Sequence, residues 1–143
     1  EVLAYPINDV AGNCTRFLWL GRGDRSLEGP LASLAFSLHA NQPGALLEAL
    51  ACFAHRGLNM SRIESRPIGD RLGRYRFNID VQGHIDDSAV AEALMGLHRF
   101  SPKVTYLGSY ARADKQKSQH EGNNENIAFD SAEGWLKNLR AGK

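Results

Sequence analysis

Long apolar runs are missing from this chain of 143 residues, and with them any membrane-span candidate, which needs roughly 18 apolar residues in succession. Cysteine is nearly absent. Cys14 and Cys52 lie far apart, fit no metal-ligand spacing and exclude a disulfide-built scaffold. Cys52 falls inside an expected helix, where a free thiol behaves as a small hydrophobe, so a reduced, cytoplasmic setting is expected. The five histidines (His39, His55, His84, His98, His120) form no HxH or HExxH grouping. No metal site and no cofactor are therefore expected. An excess of one charge is missing as well: 17 basic against 16 acidic residues leave +1, which gives no field for nucleic acid or an acidic membrane. The opening Glu1-Val2-Leu3-Ala4-Tyr5-Pro6 has no initiator methionine, basic region or apolar signal segment. It reads as a cut inside a longer polypeptide.

What is present suits one soluble domain: 43% hydrophobic and 23% charged residues over a length that can bury a core. Phe17-Leu18-Trp19-Leu20 is an apolar run of the kind found in buried strands, followed by a loose Gly21-Arg22-Gly23-Asp24-Arg25 exit and a break at Gly29-Pro30. Leu34, Phe36 and Leu38 alternate with Ala35, Ser37 and His39, predicting a strand with one buried face. Pro43 to Arg56 reads as a helix with Leu46, Leu47, Leu50, Phe53 and Ala54 on one stripe and Gly57 as its C-terminal cap. Leu58 to Arg66 is a second strand, stopped by Pro67. Tyr75, Phe77, Ile79 and Val81 then face one way, with Arg74, Arg76, Asn78 and Asp80 the other. Capping candidates Asp86, Asp87 and Ser88 precede a Val90, Leu94, Leu97 helical stripe, and Lys103 to Tyr110 forms a last strand around Val104, Tyr106 and Leu107.

The order is βαββαβ, the split unit of ferredoxin-like α+β folds, with a four-stranded antiparallel sheet carrying two helices on one face. The other face needs cover, and a second sheet or subunit is the economical source. Asp114 to Asn126 contains no apolar side chain and reads as a solvated linker. Beyond it, Asp130 and Glu133 have capping-box spacing, and Ala132, Trp135, Leu136 and Leu139 share a helical face. A helix this short is marginal alone in water, so either Trp135 docks on a surface or the end frays.

Two strings carry chemistry. In Asn41-Gln42-Pro43-Gly44-Ala45-Leu46-Leu47, Pro43 suits the first helical position and Gly44 leaves the backbone amides uncovered. Open amides at a helix N-terminus bind carboxylates. Ile63-Glu64-Ser65-Arg66-Pro67 sets a carboxylate, a hydroxyl and a guanidinium at a strand end. An amine and a carboxylate held by such groups suggest an amino-acid ligand. Plainer readings exist for each: Gly44 as punctuation between strand and helix, and Arg66 paired to Glu64 or Asp80 on a polar edge strand.

Taken together, with Asn59 between them, these strings resemble the phenylalanine-binding ACT domain found in prephenate dehydratase and in the regulatory domain of phenylalanine hydroxylase; the likeness covers most of residues 33–111. Upstream, Asn13-Cys14-Thr15-Arg16-Phe17 resembles Asn-x-Thr-Arg-Phe, the closing catalytic motif of the prephenate dehydratase family, which the hydroxylases lack at that place. The resemblance implies three segments: 1–30 as the end of a catalytic domain with its linker, 31–111 as an ACT regulatory domain, and 112–143 as a polar linker with a short amphipathic helix. It implies a feedback site for L-phenylalanine built from Asn41, Gly44, Ala45, Leu46, Leu58, Asn59, Glu64, Ser65, Arg66 and Pro67, at the interface of a homodimer or dimer of dimers. It implies that Thr15, Arg16 and Phe17 serve the conversion of prephenate to phenylpyruvate, with Thr15 protonating the departing hydroxyl and Arg16 orienting a carboxylate. The cleft for that reaction would lie upstream, so the 143-residue chain by itself is expected to be inactive. Two alternatives stand beside this one. A freestanding amino-acid sensor would leave Thr15-Arg16-Phe17 without a purpose. An RNA-binding ferredoxin-like module would use Gly73-Arg74-Tyr75-Arg76-Phe77, but only with the aromatics on an open sheet face.

Overall fold

The computed structural model describes residues 12, 17–18, 21–24, 27–39, 42–69, 73–111 and 126–142. Its elements run β1 (Leu31–Ser37), α1 (Ala45–Ala54), β2 (Met60–Pro67), β3 (Tyr75–Gln82), α2 (Ser88–Phe100), β4 (Lys103–Tyr110) and α3 (Asn126–Arg140). The four strands form one antiparallel sheet in the order β2-β3-β1-β4. This is the expected ferredoxin-like α+β arrangement, with α1 and α2 packed on one face. Leu34, Phe36, Phe77, Ile79 and Val81 meet Ala49, Phe53, Ala93 and Leu97 there, and the Phe36 and Phe77 rings stack with centroids 5.3 Å apart. The period-2 facing of β3 is borne out for Phe77, Ile79 and Val81, while Tyr75 at the strand start is 42% exposed and Asp80 on the other face is fully buried.

Several local expectations need correction. β1 is buried on both faces, because it is a central strand whose small Ser33, Ala35 and Ser37 side chains sink between the larger ones of β3 and β4. Helix α1 starts two residues later than Pro43 suggests. Gly44, at φ 85°, is the N-cap, so Ala45 rather than Pro43 opens the helix. Its inward stripe is Ala49 and Phe53, while Leu47 is 71% exposed. At the other end Gly57, at φ 64°, closes a Schellman motif, its amide donating to Ala54 and that of Leu58 to Phe53. Leu58 and Asn59 precede β2 rather than opening it, and Pro67 lies in the strand, where an edge position tolerates a missing donor. In β4 the register slips between Ser33 and Leu34, leaving Leu107 as an extra, exposed residue rather than part of a buried series.

The ends also differ from the pattern-based reading. Phe17 and Leu18 are 87% and 48% exposed and belong to no strand, since an apolar segment this short needs a neighbouring sheet to bury it. Residues 27–30 are held against the domain. Leu27 bridges Ser109 in parallel, its carbonyl accepts from His84 Nε2 at 2.5 Å, and the Gly83 amide donates to Pro30 at 2.7 Å. A Cβ on Gly29 would lie 2.0 Å from the Tyr110 carbonyl carbon, so glycine is a packing requirement there. Helix α3 begins at Asn126, which places Asp130 and Glu133 inside it rather than at a capping box. Asn126 lies against the start of α2, accepting from the Ala89 amide at 3.4 Å and donating to Asp87 at 3.1 Å. Ser88 donates to Asp130, and Phe129 packs on the core. Docking is thus through the first turn of α3, and Trp135 stays 64% exposed.

Cys52 sits on the inner side of α1, half-buried, and burial pushes its thiol above the ordinary value against the lowering pull of Arg56 and Arg99. Because the thiolate is the reactive form, a chain carrying Cys14→Ser should react with an aromatic disulfide reagent at pH 8 several-fold more slowly than free cysteine. A rate equal to that of the free amino acid would show the site to be open.

Candidate functional site

At the α1 N-terminus the sequence and the backbone agree on an exposed patch of donors. Gly44 lies in the left-handed region, its carbonyl accepts from the Glu48 amide at 2.9 Å, and the Ala45 amide donates to Gln42 at 3.2 Å. No side chain among the described residues caps this end, and no described group accepts from the Leu46 and Leu47 amides of its first turn, at the positive end of the helix dipole. Beside them a groove of about 270 Å³ opens between α1 and the β2–β3 hairpin. Leu38, Ala45 and Leu46 form one wall, and Ser65, Tyr75 and Phe77 the other, with Gln42 and Arg74 at the rim. The chemistry on offer is that of a small zwitterion with an apolar tail: amides and a guanidinium for a carboxylate, oxygens for an ammonium, and an aliphatic and aromatic lining for the rest.

Of the ten expected ligand-site residues, Ala45, Leu46 and Ser65 line this groove and Gly44 adjoins it. Asn41 lies outside the described residues, as do Thr15 and Arg16. Glu64 and Arg66 are turned to the opposite face of the sheet. Register shows why: Ser65 stands across from Phe77 on the helix side, whereas Glu64 and Arg66 stand across from Asn78 and Arg76. Glu64 there contacts Arg62 at 3.2 Å and Arg66 at 3.9 Å, which is the plain edge-strand pairing. Pro67 is exposed at the end of β2, opposite Tyr75. Leu58 is in the core, and Asn59 is exposed with its carbonyl bonded to the Gln82 amide at 2.8 Å. Both sit at the far end of α1, about 15 Å along its axis, so one copy of the chain cannot bring them to Gly44.

Leu38, Gln42, Gly73, Phe77, Arg74 and Tyr75 were not foreseen. The signal for the last two was present, because a Gly69–Gly73 turn between two strands must fold Arg74 and Tyr75 back beside Ser65 to Ile68. The Ile68 amide does donate to the Arg74 carbonyl at 2.9 Å. The aromatics of β3 face the helices, and Phe77 is buried, which removes the exposed ring platform an RNA-binding sheet requires.

Comparison with known proteins agrees with this architecture. The ACT domain family model matches residues 32–99. This segment is an ACT domain. Similarity extends beyond the ACT domain: a prephenate dehydratase of Mycobacterium bovis is 43% identical over 99% of the chain and 43% of its own length. One from Mycobacterium ulcerans is 49% identical over 100% of the chain and 44% of its own length. The chain thus spans less than half the length of these curated relatives. Among solved structures, prephenate dehydratase in complex with L-Phe from Arthrobacter aurescens superposes with a TM-score of 0.75 and 46% identity, over 83% of this chain and 40% of the other.

Proposed function

We propose that this chain is the regulatory portion, with a short adjoining piece of the catalytic portion, of a prephenate dehydratase, and that its ACT domain binds L-phenylalanine. One observation carries the proposal: the groove beside the uncapped α1 N-terminus, in a fold matched over most of its length by a homologue whose structure contains L-Phe. The ligand carboxylate is assigned to the Leu46 and Leu47 amides with help from Arg74, and the ring to Leu38, Leu46, Tyr75 and Phe77. The ammonium goes to Ser65, with Gln42 lining the same groove. Glu64 and Arg66, on the other face, have no place in this groove within one copy.

Asn59 joins the site only if a second copy presents the opposite end of its own α1, while Leu58, buried in the core, has no place in it. The proposal extends to a homodimer with the ligand at its interface, which would make ligand binding and subunit geometry one equilibrium. The docked residues 27–30 would pass that geometry to the residues before them. In the whole enzyme, Thr15 is assigned as the acid for the departing hydroxyl and Arg16 as a carboxylate clamp, in the loss of water and carbon dioxide from prephenate.

Calorimetry on the 143-residue chain tests the binding reading. Saturable heat with L-phenylalanine, weaker with L-alanine, is expected, and sedimentation should report a dimer at micromolar concentration. Absence of heat from a folded dimer would remove L-phenylalanine as the ligand. The same preparation is expected to show no detectable formation of phenylpyruvate from prephenate, because the cleft that positions the substrate is assigned to the catalytic portion of the whole enzyme. Turnover above the uncatalysed rate would overturn that assignment of the active site.

A further inference from the structure

The sheet face away from the helices carries a second concavity, of about 340 Å³. Its floor is Ala35, Ser37 and Thr105, and its sides are Ile68 and Pro102. Three cations reach into it: Arg74, Arg76 and Lys103. Register makes this arrangement specific. Arg66 stands directly across from Arg76, Arg76 from Ser37, and Ser37 from Lys103, so one row spans all four strands with basic residues on three of them. Like charges directly opposite each other destabilise a sheet. Glu64 relieves Arg66 at 3.9 Å, but among the described residues Arg76 and Lys103 have no acidic partner and no carboxylate lines the cavity. Ser37 and Thr105 add hydroxyl donors between the cations.

We propose that this cavity is a second ligand site, for a small organic anion with two acidic groups, carboxylate or phosphate, beside an apolar body. Charge complementarity sets the acidic groups: Arg76 and Lys103 flank Ser37 from the strands on either side, so a dianion meets them with two charge-assisted contacts and also offsets the directly opposed Arg66–Arg76 pair. Shape sets the size, because the volume is that of a small-molecule pocket and three cations are among its lining residues. Ile68 and Pro102 provide the apolar contact that inorganic anions would leave unused. The site is distinct from the groove proposed for L-phenylalanine. The two lie on opposite faces of the sheet and share one residue, Arg74.

The test uses the 143-residue chain with three probes at constant ionic strength: inorganic phosphate, malonate and phthalate, the last joining two carboxylates to a ring. Saturable binding of phthalate with a rise in Tm is expected, tighter than malonate for its ring contact, while phosphate against malonate tells which acidic group is preferred. The double variant Arg76→Gln/Lys103→Gln keeps side-chain bulk on exposed positions. It should lose affinity for phthalate by about tenfold or more, and should melt no lower than the parent without ligand, since a repulsion is removed. L-phenylalanine binding should be unchanged in that variant, so failure of one site is distinguishable from failure of the other. Equal responses to phthalate in parent and variant, or a response matched by chloride, would overturn the proposal. Binding of poly-uridylate without binding of phthalate would overturn it in favour of a nucleic-acid surface.

Discussion

Gly44→Val is expected to abolish L-phenylalanine binding, lowering affinity by about a hundredfold or more, while the domain stays folded. The glycine does two things at once. It holds φ 85°, which a β-branched residue adopts at a cost of about 1–2 kcal/mol, and it keeps the space over the α1 amides empty. A Cβ at this position would meet nothing within 4 Å, so no neighbour resists the substitution and the core is not disturbed. The side chain would instead stand where the ligand carboxylate is assigned. Two hydrogen bonds to a charged group are worth about 1.5–3 kcal/mol each, which sets the magnitude. Gly44→Asn separates the two effects, because asparagine accepts the left-handed conformation at small cost. If occlusion is the cause, Asn also weakens binding. Full affinity for Gly44→Asn with loss for Gly44→Val would assign the effect to backbone strain, and full affinity for both would remove the α1 N-terminus from the site. Calorimetry on both variants, with circular dichroism to confirm the fold, measures all of this.

The elements were legible because their patterns are local. Alternation along β3 and the Gly57 stop are set by a few neighbouring residues, and both appear as expected. The site was only half legible, for a reason visible in Glu64 and Ser65. Adjacent residues in a strand face opposite ways, so a string that looks like one cluster of polar groups is divided between the two sides of a sheet. Arg74 and Tyr75 join the groove through hairpin pairing, which depends on strand register. The role of Asn126 at the start of α2 was invisible, since the residues that bring it there lie across a polar segment with no pattern of its own. Leu47, which periodicity placed on the α1 stripe, is exposed for a related reason. Hydrophobic periodicity predicts a face to be covered, and cannot distinguish cover by this chain from cover by a second copy.

Asp80→Ala should destabilise the chain by about 3 kcal/mol, through a polar brace that crosses the sheet. The Asp80 side chain is fully buried, yet it lies on the face away from the helices. Arg62 of β2 donates to Asp80 at 2.7 Å. Ser33 of β1 donates to its other oxygen, and Tyr110 of β4 reaches Ser33 at 2.7 Å and Asp80 at 3.4 Å. One carboxylate therefore ties all four strands, and its hydrogen bond is the largest cause holding the Arg62 guanidinium above its ordinary range. Removing it leaves a buried hydroxyl and a half-buried cation with fewer partners. The loss stays near the low end of the about 3–5 kcal/mol typical of a broken buried pair, because Glu64 still contacts Arg62 at 3.2 Å. A buried ion pair is weak evidence of net stability, so the companion variant matters. Asp80→Leu/Arg62→Leu removes both charges and should recover most of the loss. Urea unfolding of the three chains gives the coupling directly. A cost below about 1 kcal/mol for Asp80→Ala, in the range of an exposed pair, would mean that the sheet is held by its backbone ladder alone.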